Sequence, residues 1–238
     1  MIIEVPHSRN YTGSSAEDYT AREGGRIFKD LAARALLING ATRCAIADHS
    51  DCDGTTDQCG AAEEKNRRSD LSHEVQTLFQ ITHQKYNDRY ASRVVQLHGK
   101  AEGEARAIVG DGTISDLRES SVAVLFAQAL AASLGARVDA CQDAGSPERP
   151  LCGETNVQAR YTNNPTGNVC TTGTSSYTGR FLHIEQDRQL GDSPTWQSVS
   201  NGIKTTWPQS CDLPGADSDC TLGSAQSESQ VLECAVTN

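Results

Sequence analysis

Short apolar runs alternate along this chain with longer segments of helical spacing, and that alternation limits its fold more than any other feature. Ile2–Val5 is a β-branched run ended by Pro6-His7. Arg93–Leu97 and Phe181–Glu185 read as further strands, Ala105–Val109 as another closed by Gly110-Asp111-Gly112, Thr42–Ala47 as one more candidate, and Ala35–Ile38 as either the end of a helix or the start of a strand. Between them lie helical segments. Thr20-Ala-Arg-Glu23 has the form of a capping box and leads into Ile27, Phe28, Leu31, Ala32 and Ala35 at helical spacing. Ser72–Lys85, Ser120–Leu134 (stopped by Gly135) and Trp196–Ile203 are the other expected helices. Strands interleaved with helices give an α/β fold. In such sheets reactive groups collect just beyond the carboxyl ends of strands. Three of the expected strands end in His7, His98 and Glu185.

The chain has 238 residues, nine of them cysteine. That cysteine usage, set in Gly-, Ser-, Thr- and Asp-rich surroundings, points to disulfides and an oxidising compartment. Without a Cys-x-x-Cys, a zinc ribbon or thioredoxin-type centre has no support. The local pairs suggested by spacing are Cys52–Cys59, Cys141–Cys152 and Cys211–Cys220, with Cys44, in an apolar stretch, as the thiol left over. The expected location is secreted or periplasmic, the export signal having been removed. A formal charge of −10 with no basic, aromatic-interleaved cluster argues against nucleic acid as partner. No apolar run approaches the roughly 18–20 residues that span a bilayer, so no membrane role is expected. Residues 138–180 are poor in apolar side chains and read as a disulfide-pinned insertion. Residues 205–238 contain no Lys or Arg and read as an acidic, cysteine-bearing tail. The expected organisation is thus an α/β catalytic domain over 1–204, carrying that insertion, followed by the tail.

Two imidazoles and a carboxylate on rigid elements, with one position left open, are what a catalytic zinc site requires. His7 and His98 supply the imidazoles. For the acid the sequence offers Glu17, with Asp18 and Glu23 as alternatives. Glu23 is otherwise explained as a capping-box residue and Asp18 as a partner of the helix dipole. His49 in its Asp48/Asp51/Asp53 loop lacks the closing Glu of an EF-hand and reads as a polar loop, and His73 reads as a surface residue, with support of the site from behind as its alternative. On the last strand Leu182 and Ile184 share one face, and Phe181, His183 and Glu185 the other. No Gly-x-Ser-x-Gly, Walker or Gly-x-Gly-x-x-Gly pattern is present, so serine-hydrolase and nucleotide chemistry have no support.

The segments His7-Ser8-Arg9 and Glu17-Asp18-Tyr19-Thr20, then Asn66-Arg67-Arg68, Gln96-Leu97-His98-Gly99 and Ile184-Glu185-Gln186-Asp187-Arg188, resemble in order the motifs of zinc carboxypeptidases. The Val5-Pro6-His7-Ser8 opening and the late Glu185-Gln186-Asp187-Arg188 are most similar to the N-formylglutamate amidohydrolase branch, with phage poly-γ-glutamate hydrolases beside it. The resemblance covers roughly residues 2–204 through short, scattered motifs. The His-to-Glu spacing is longer than in the family, and Glu64-Lys65 stands before Asn66-Arg67. It implies a three-layer α/β fold with a mixed sheet flanked by helices. It also implies Zn2+ held by His7, Glu17 and His98, and Glu185 as general base. Asn66, Arg67, Arg68 and Arg188 would bind a small-molecule or peptide substrate through its carboxylate. The reaction implied is hydrolysis of an amide, such as an N-acyl amino acid or a γ-glutamyl bond. A metal-dependent esterase and a secreted binding protein on an inactive hydrolase scaffold are the competing readings.

Overall fold

In a computed structural model, residues 1–8, 17–115, 118–141, 151–192 and 194–207 are described. The elements follow the order β1 (Ile2–Val5), α1 (Thr20–Asp30), β2 (Ala35–Ile38), β3 (Thr55–Thr56), β4 (Glu64–Lys65), a 3-10 turn (Leu71–His73) and α2 (Leu78–Tyr90). After these come β5 (Val94–Gly99), β6 (Ala107–Gly110), α3 (Val122–Leu134), β7 (Val138–Ala140), α4 (Val157–Asn163), β8 (Phe181–Gln186), α5 (Arg188–Gly191) and α6 (Trp196–Thr206). Six strands form one mixed sheet in the order β2-β1-β5-β8-β6-β7. The first four are mutually parallel, while β6 runs antiparallel to β8 and parallel to β7. The α/β architecture expected from alternation is therefore present.

The register divides the sheet into two unlike faces. Glu4 pairs with Gln96, Gln96 with His183, and His98 with Glu185. Side chains alternate along a strand, so Ile3, Val5, Val95, Leu97, Leu182 and Ile184 share the opposite face. There they pack with Ile27, Val122, Phe126, Leu130, Val199, Ile203 and Trp207 in the main core. Gly24 lets α1 lie directly on β1, since a Cβ there would meet Val5 Cγ2 at 2.7 Å. The second face is apolar only at its lower end, where Ile2, Val94 and Phe181 meet Ala159 of α4. Higher up it becomes polar, and its buried side chains are Glu4, Gln96, His98, His183 and Glu185.

Several local expectations need correcting. The segment 42–47 runs in turns rather than a strand, and Arg43 and Cys44 there are committed to side-chain bonds. Helix α1 has Tyr19 as N-cap with no side-chain cap; Thr20 Oγ1 donates instead to the Glu17 carbonyl at 2.7 Å. Glu23 is thus not a capping-box residue. It is buried against Gln186, whose Nε2 donates to Glu23 Oε2 at 2.5 Å. The helix expected at 72–85 divides into the 3-10 turn, capped by Asp70, and α2, which starts at Leu78 because Thr77 Oγ1 accepts the Gln80 N–H. Helix α3 follows expectation, with Ser121 capping its start and Gly135 taking φ 60° at its end, a left-handed turn suited to glycine. Residues 138–180 contribute β7 to the sheet and α4 over its polar face.

Among the described residues three disulfides are formed: Cys44–Cys59, Cys52–Cys170 and Cys141–Cys152. Only the last was expected. Cys44 is bonded, not free, and Cys52 reaches across 118 residues rather than to Cys59. The expected Cys211–Cys220 pair and the 205–238 tail from residue 208 lie outside the described residues. Three bridges suit an oxidising extracellular compartment, and no helix among the described residues is long and apolar enough to cross a membrane. By loop-closure entropy a link of that span stabilises by about 5 kcal/mol. The Cys52→Ala/Cys170→Ala pair should lower unfolding free energy in urea by several kcal/mol, and a loss under 1 kcal/mol would show the long bridge to be incidental.

Candidate metal centre

Strand β1 ends at Val5, and Pro6 directs the chain so that His7 sits over the carboxyl end of the sheet, buried. His98 stands on β5 one strand over. The two Nδ1 atoms face each other at 3.1 Å. Glu17, in the turn before α1, brings Oε1 to 3.5 Å from His7 Nδ1. Ligand atoms of His7, Glu17 and His98 all lie within 4.8 Å of one another, and all three residues are buried. Of the three acids the sequence left open, Glu17 alone joins the imidazoles. Asp18 pairs with Arg188, and Glu23 lies against Gln186.

The far nitrogen of each ring is held by an acceptor. His7 Nε2 donates to Asp70 Oδ1 at 2.8 Å, and His98 Nε2 donates to Gln96 Oε1 at 2.8 Å. That leaves both Nδ1 positions for a cation. The group can hold a metal ion: two nitrogens about 2.05 Å from a tetrahedral ion would stand about 3.3 Å apart, and here they are 3.1 Å apart. Imidazoles backed by a carboxylate or amide oxygen are the usual support for such ligands.

Burial and Arg43 press the His7 pKa down, but Asp70 and Glu17 outweigh them and raise it to about 9. His98 is driven well below the ordinary range by burial, with His183, His7 and Arg43 adding to the effect and Asp70 opposing it. Burial would raise Glu17 and Asp70, yet Arg43 and His7 hold Glu17 low, and His7, His73 and Arg43 hold Asp70 lower still. At neutral pH, therefore, both acids are ionised, His98 is neutral, and His7 carries the one proton a cation must displace. Apparent zinc affinity should rise about tenfold per pH unit from pH 6 until the proton is lost near pH 9, then level off. Chelator competition across that range checks the slope; a flat profile would remove His7 as a ligand.

A second buried group adjoins the first. His183 Nε2 is 3.3 Å from Glu185 Oε1, which lies 3.8 Å from His98 Nδ1. The His98 and His183 rings are 4.4 Å apart, and His98, His183 and Glu185 could also hold an ion. His183 Nδ1 has no hydrogen-bond partner.

The other expected residues are placed as follows. Asn66 is buried, with Nδ2 unpartnered. Arg67 bonds Glu64 and the carbonyls of Cys44 and Cys59, tying down the disulfide loop. Arg68 reaches Glu74 and Gln76 near the surface. Arg188 pairs with Asp18 and lies over the Tyr19 ring. None of these contacts touches His7, Glu17 or His98.

The guanidinium at the centre belongs to Arg43. Its Nη2 donates to Glu17 Oε1 and Oε2 at 2.8 and 3.0 Å and closes on His7 Nδ1. Sequence reasoning missed it because nothing about a lone Arg beside Cys44 signals a site. It missed Asp70 because that residue arrives from a loop. Asp70 also accepts from His73 Nδ1 at 3.1 Å, so His73 stands behind the centre rather than apart from it. The Asp-rich loop is structural, with Asp53 bonded to buried Arg160.

No family model, curated protein or solved structure matches this chain.

Proposed function

We propose that this protein is a zinc-dependent amidohydrolase acting on a substrate with a carboxylate near the scissile bond. One observation carries the reading: the Nδ1 atoms of His7 and His98 converge beside Glu17, with Glu185 adjacent. Two imidazoles and one carboxylate match the donor set of catalytic zinc in hydrolases. Zinc held there supplies Lewis acidity, polarising a carbonyl and making water nucleophilic near neutral pH.

The chain's own residues supply the rest. Glu185 projects from β8 toward His98 and takes the proton from the attacking water, then returns it to the leaving amine. His183, at hydrogen-bond distance, orients that carboxylate. Asp70 and Gln96 fix the two imidazoles. Arg43 is the anion grip. Its guanidinium bonds the Glu17 carboxylate and crowds His7 Nδ1, the two positions a cation needs. Once displaced from them it is free to hold a substrate carboxylate through two parallel N–H bonds, a geometry Lys cannot copy. Arg67, Arg68 and Arg188, as placed, are engaged elsewhere, and the reading assigns the grip to Arg43 in their stead.

Hydrolysis of N-acyl amino acids and of the same compounds as neutral amides, with zinc-loaded protein, tests this. The wild type should prefer the free acids. Arg43→Gln should raise KM for the acids about ten- to a hundredfold, the value of a charged hydrogen-bonded pair, and leave the neutral amides near wild type. Equal effects on both series would take the carboxylate grip away from Arg43. No turnover of any member would refute amidohydrolysis.

A further inference from the structure

The buried polar face beneath the centre has a direction to it. Gln96 lies on β5 two residues before His98, and its side-chain amide can turn either way round. Its neighbours allow one orientation. Asn156 uses Oδ1 to accept the N–H groups of Gln158 and Ala159 at 3.0 Å each, capping α4, so its Nδ2 is free only to donate, and it donates to Gln96 Oε1. Gln158 Nε2 donates to the Leu71 carbonyl at 2.8 Å, which leaves Gln158 Oε1 to accept from Gln96 Nε2 at 3.2 Å. Glu4 Oε2 accepts from the same Nε2 at 3.0 Å, and Glu4 Oε1 accepts from His83 Nδ1 at 2.7 Å. Glu4, Gln96, Gln158 and His83 are fully buried, so no water competes for these groups.

We infer that Glu4, from β1, is a positioning residue for the metal centre: with Asn156 and Gln158 it locks the Gln96 amide so that Oε1 meets His98 Nε2–H, forcing the His98 lone pair onto Nδ1, toward His7 and Glu17. A reversed amide would set two N–H groups against His98 and Asn156 and an oxygen against Glu4. The buried polar set on β1, β5 and α4 thus selects the tautomer of His98 through a chain of hydrogen bonds. His83 completes it by holding Glu4 in place, with its own Nε2 accepting from Asn87 Nδ2 at 3.1 Å.

The inference rests on the proposed function only in taking His98 as a ligand, and the tautomer is read without metal. Long-range 1H–15N NMR of the metal-free full chain should show the His98 proton on Nε2. Glu4→Gln and Gln96→Met should give mixed or reversed protonation and weaken zinc binding about 10- to 100-fold by chelator competition. Val94→Ala, a cavity in the apolar cluster at the lower end of the same face, controls for general destabilisation and should leave zinc affinity within about twofold. A His98 proton on Nδ1 in the wild type overturns the inference, whether or not either variant folds. So does an equal loss of affinity in Val94→Ala. Nε2–H present in a protein that binds no zinc would refute the hydrolase reading and the metal-positioning role of Glu4 with it, whereas a His98 proton on Nδ1 in a zinc-binding protein would overturn this inference alone.

Discussion

Glu185→Gln is expected to keep its metal and lose about 10²–10⁴-fold in kcat, the range contributed by a positioned general base. The substitution preserves shape and removes only the capacity to take a proton. Glu185 Oε1 is 3.8 Å from His98 Nδ1 and 3.3 Å from His183 Nε2, so the amide can sit in the same place with the fold intact. The His7–Glu17–His98 set does not include it. Zinc stoichiometry and affinity should therefore stay within a few-fold of wild type while turnover collapses. Retained activity would deny Glu185 the proton. Loss of zinc together with activity would make it a ligand, as its grouping with His98 and His183 permits.

His98→Ala is expected to have the larger effect on the centre itself. Structural zinc sites with four ligands bind with roughly 10–16 kcal/mol, so one ligand is worth about 3 kcal/mol, a hundredfold or more in affinity. His98 also stands between His7 and His183, with rings 4.9 and 4.4 Å away, so no neighbouring imidazole can take its place without moving a strand. The alanine further strips Gln96 Oε1 of one of its two donors, a loss of about 1–3 kcal/mol in stability if nothing replaces it. Zinc affinity should fall far more than the melting temperature does. A variant that binds zinc like the wild type would exclude His98 from the centre.

What the sequence discloses here and what it hides have distinct physical causes. The strands that carry the site were legible because a sheet buried on both faces needs short, nearly continuous apolar runs. Val94–Leu97 and Phe181–Ile184 admit little else. Their ends therefore located His7, His98 and Glu185 in advance. His183 carried a signal too, sharing a face with Glu185. Asp70 and Arg43 gave none. Both arrive from the segment between β2 and α2, where position is set by long-range bonds rather than by periodicity. Arg43 Nη1 and Asp70 Oδ2 approach to 3.8 Å only after that segment folds over the sheet. The disulfides failed for the same reason: spacing finds Cys141–Cys152 but cannot foresee a partner 118 residues away. Glu23 misled because a capping pattern in sequence is also a carboxylate one turn into a helix, and here α1 turns it inward to Gln186. Burial, with further repulsion from Asp192, lifts its pKa to about 8 against the pull of the Gln186 hydrogen bond and Arg26.

The most direct test of the central claim is anomalous diffraction at the zinc edge from crystals of the zinc-loaded chain. The account predicts one strong peak within about 2.0–2.2 Å of His7 Nδ1, His98 Nδ1 and a Glu17 oxygen, with Arg43 drawn away from them. A zinc peak elsewhere, or no peak while Arg43 still spans Glu17 and His7, would contradict it.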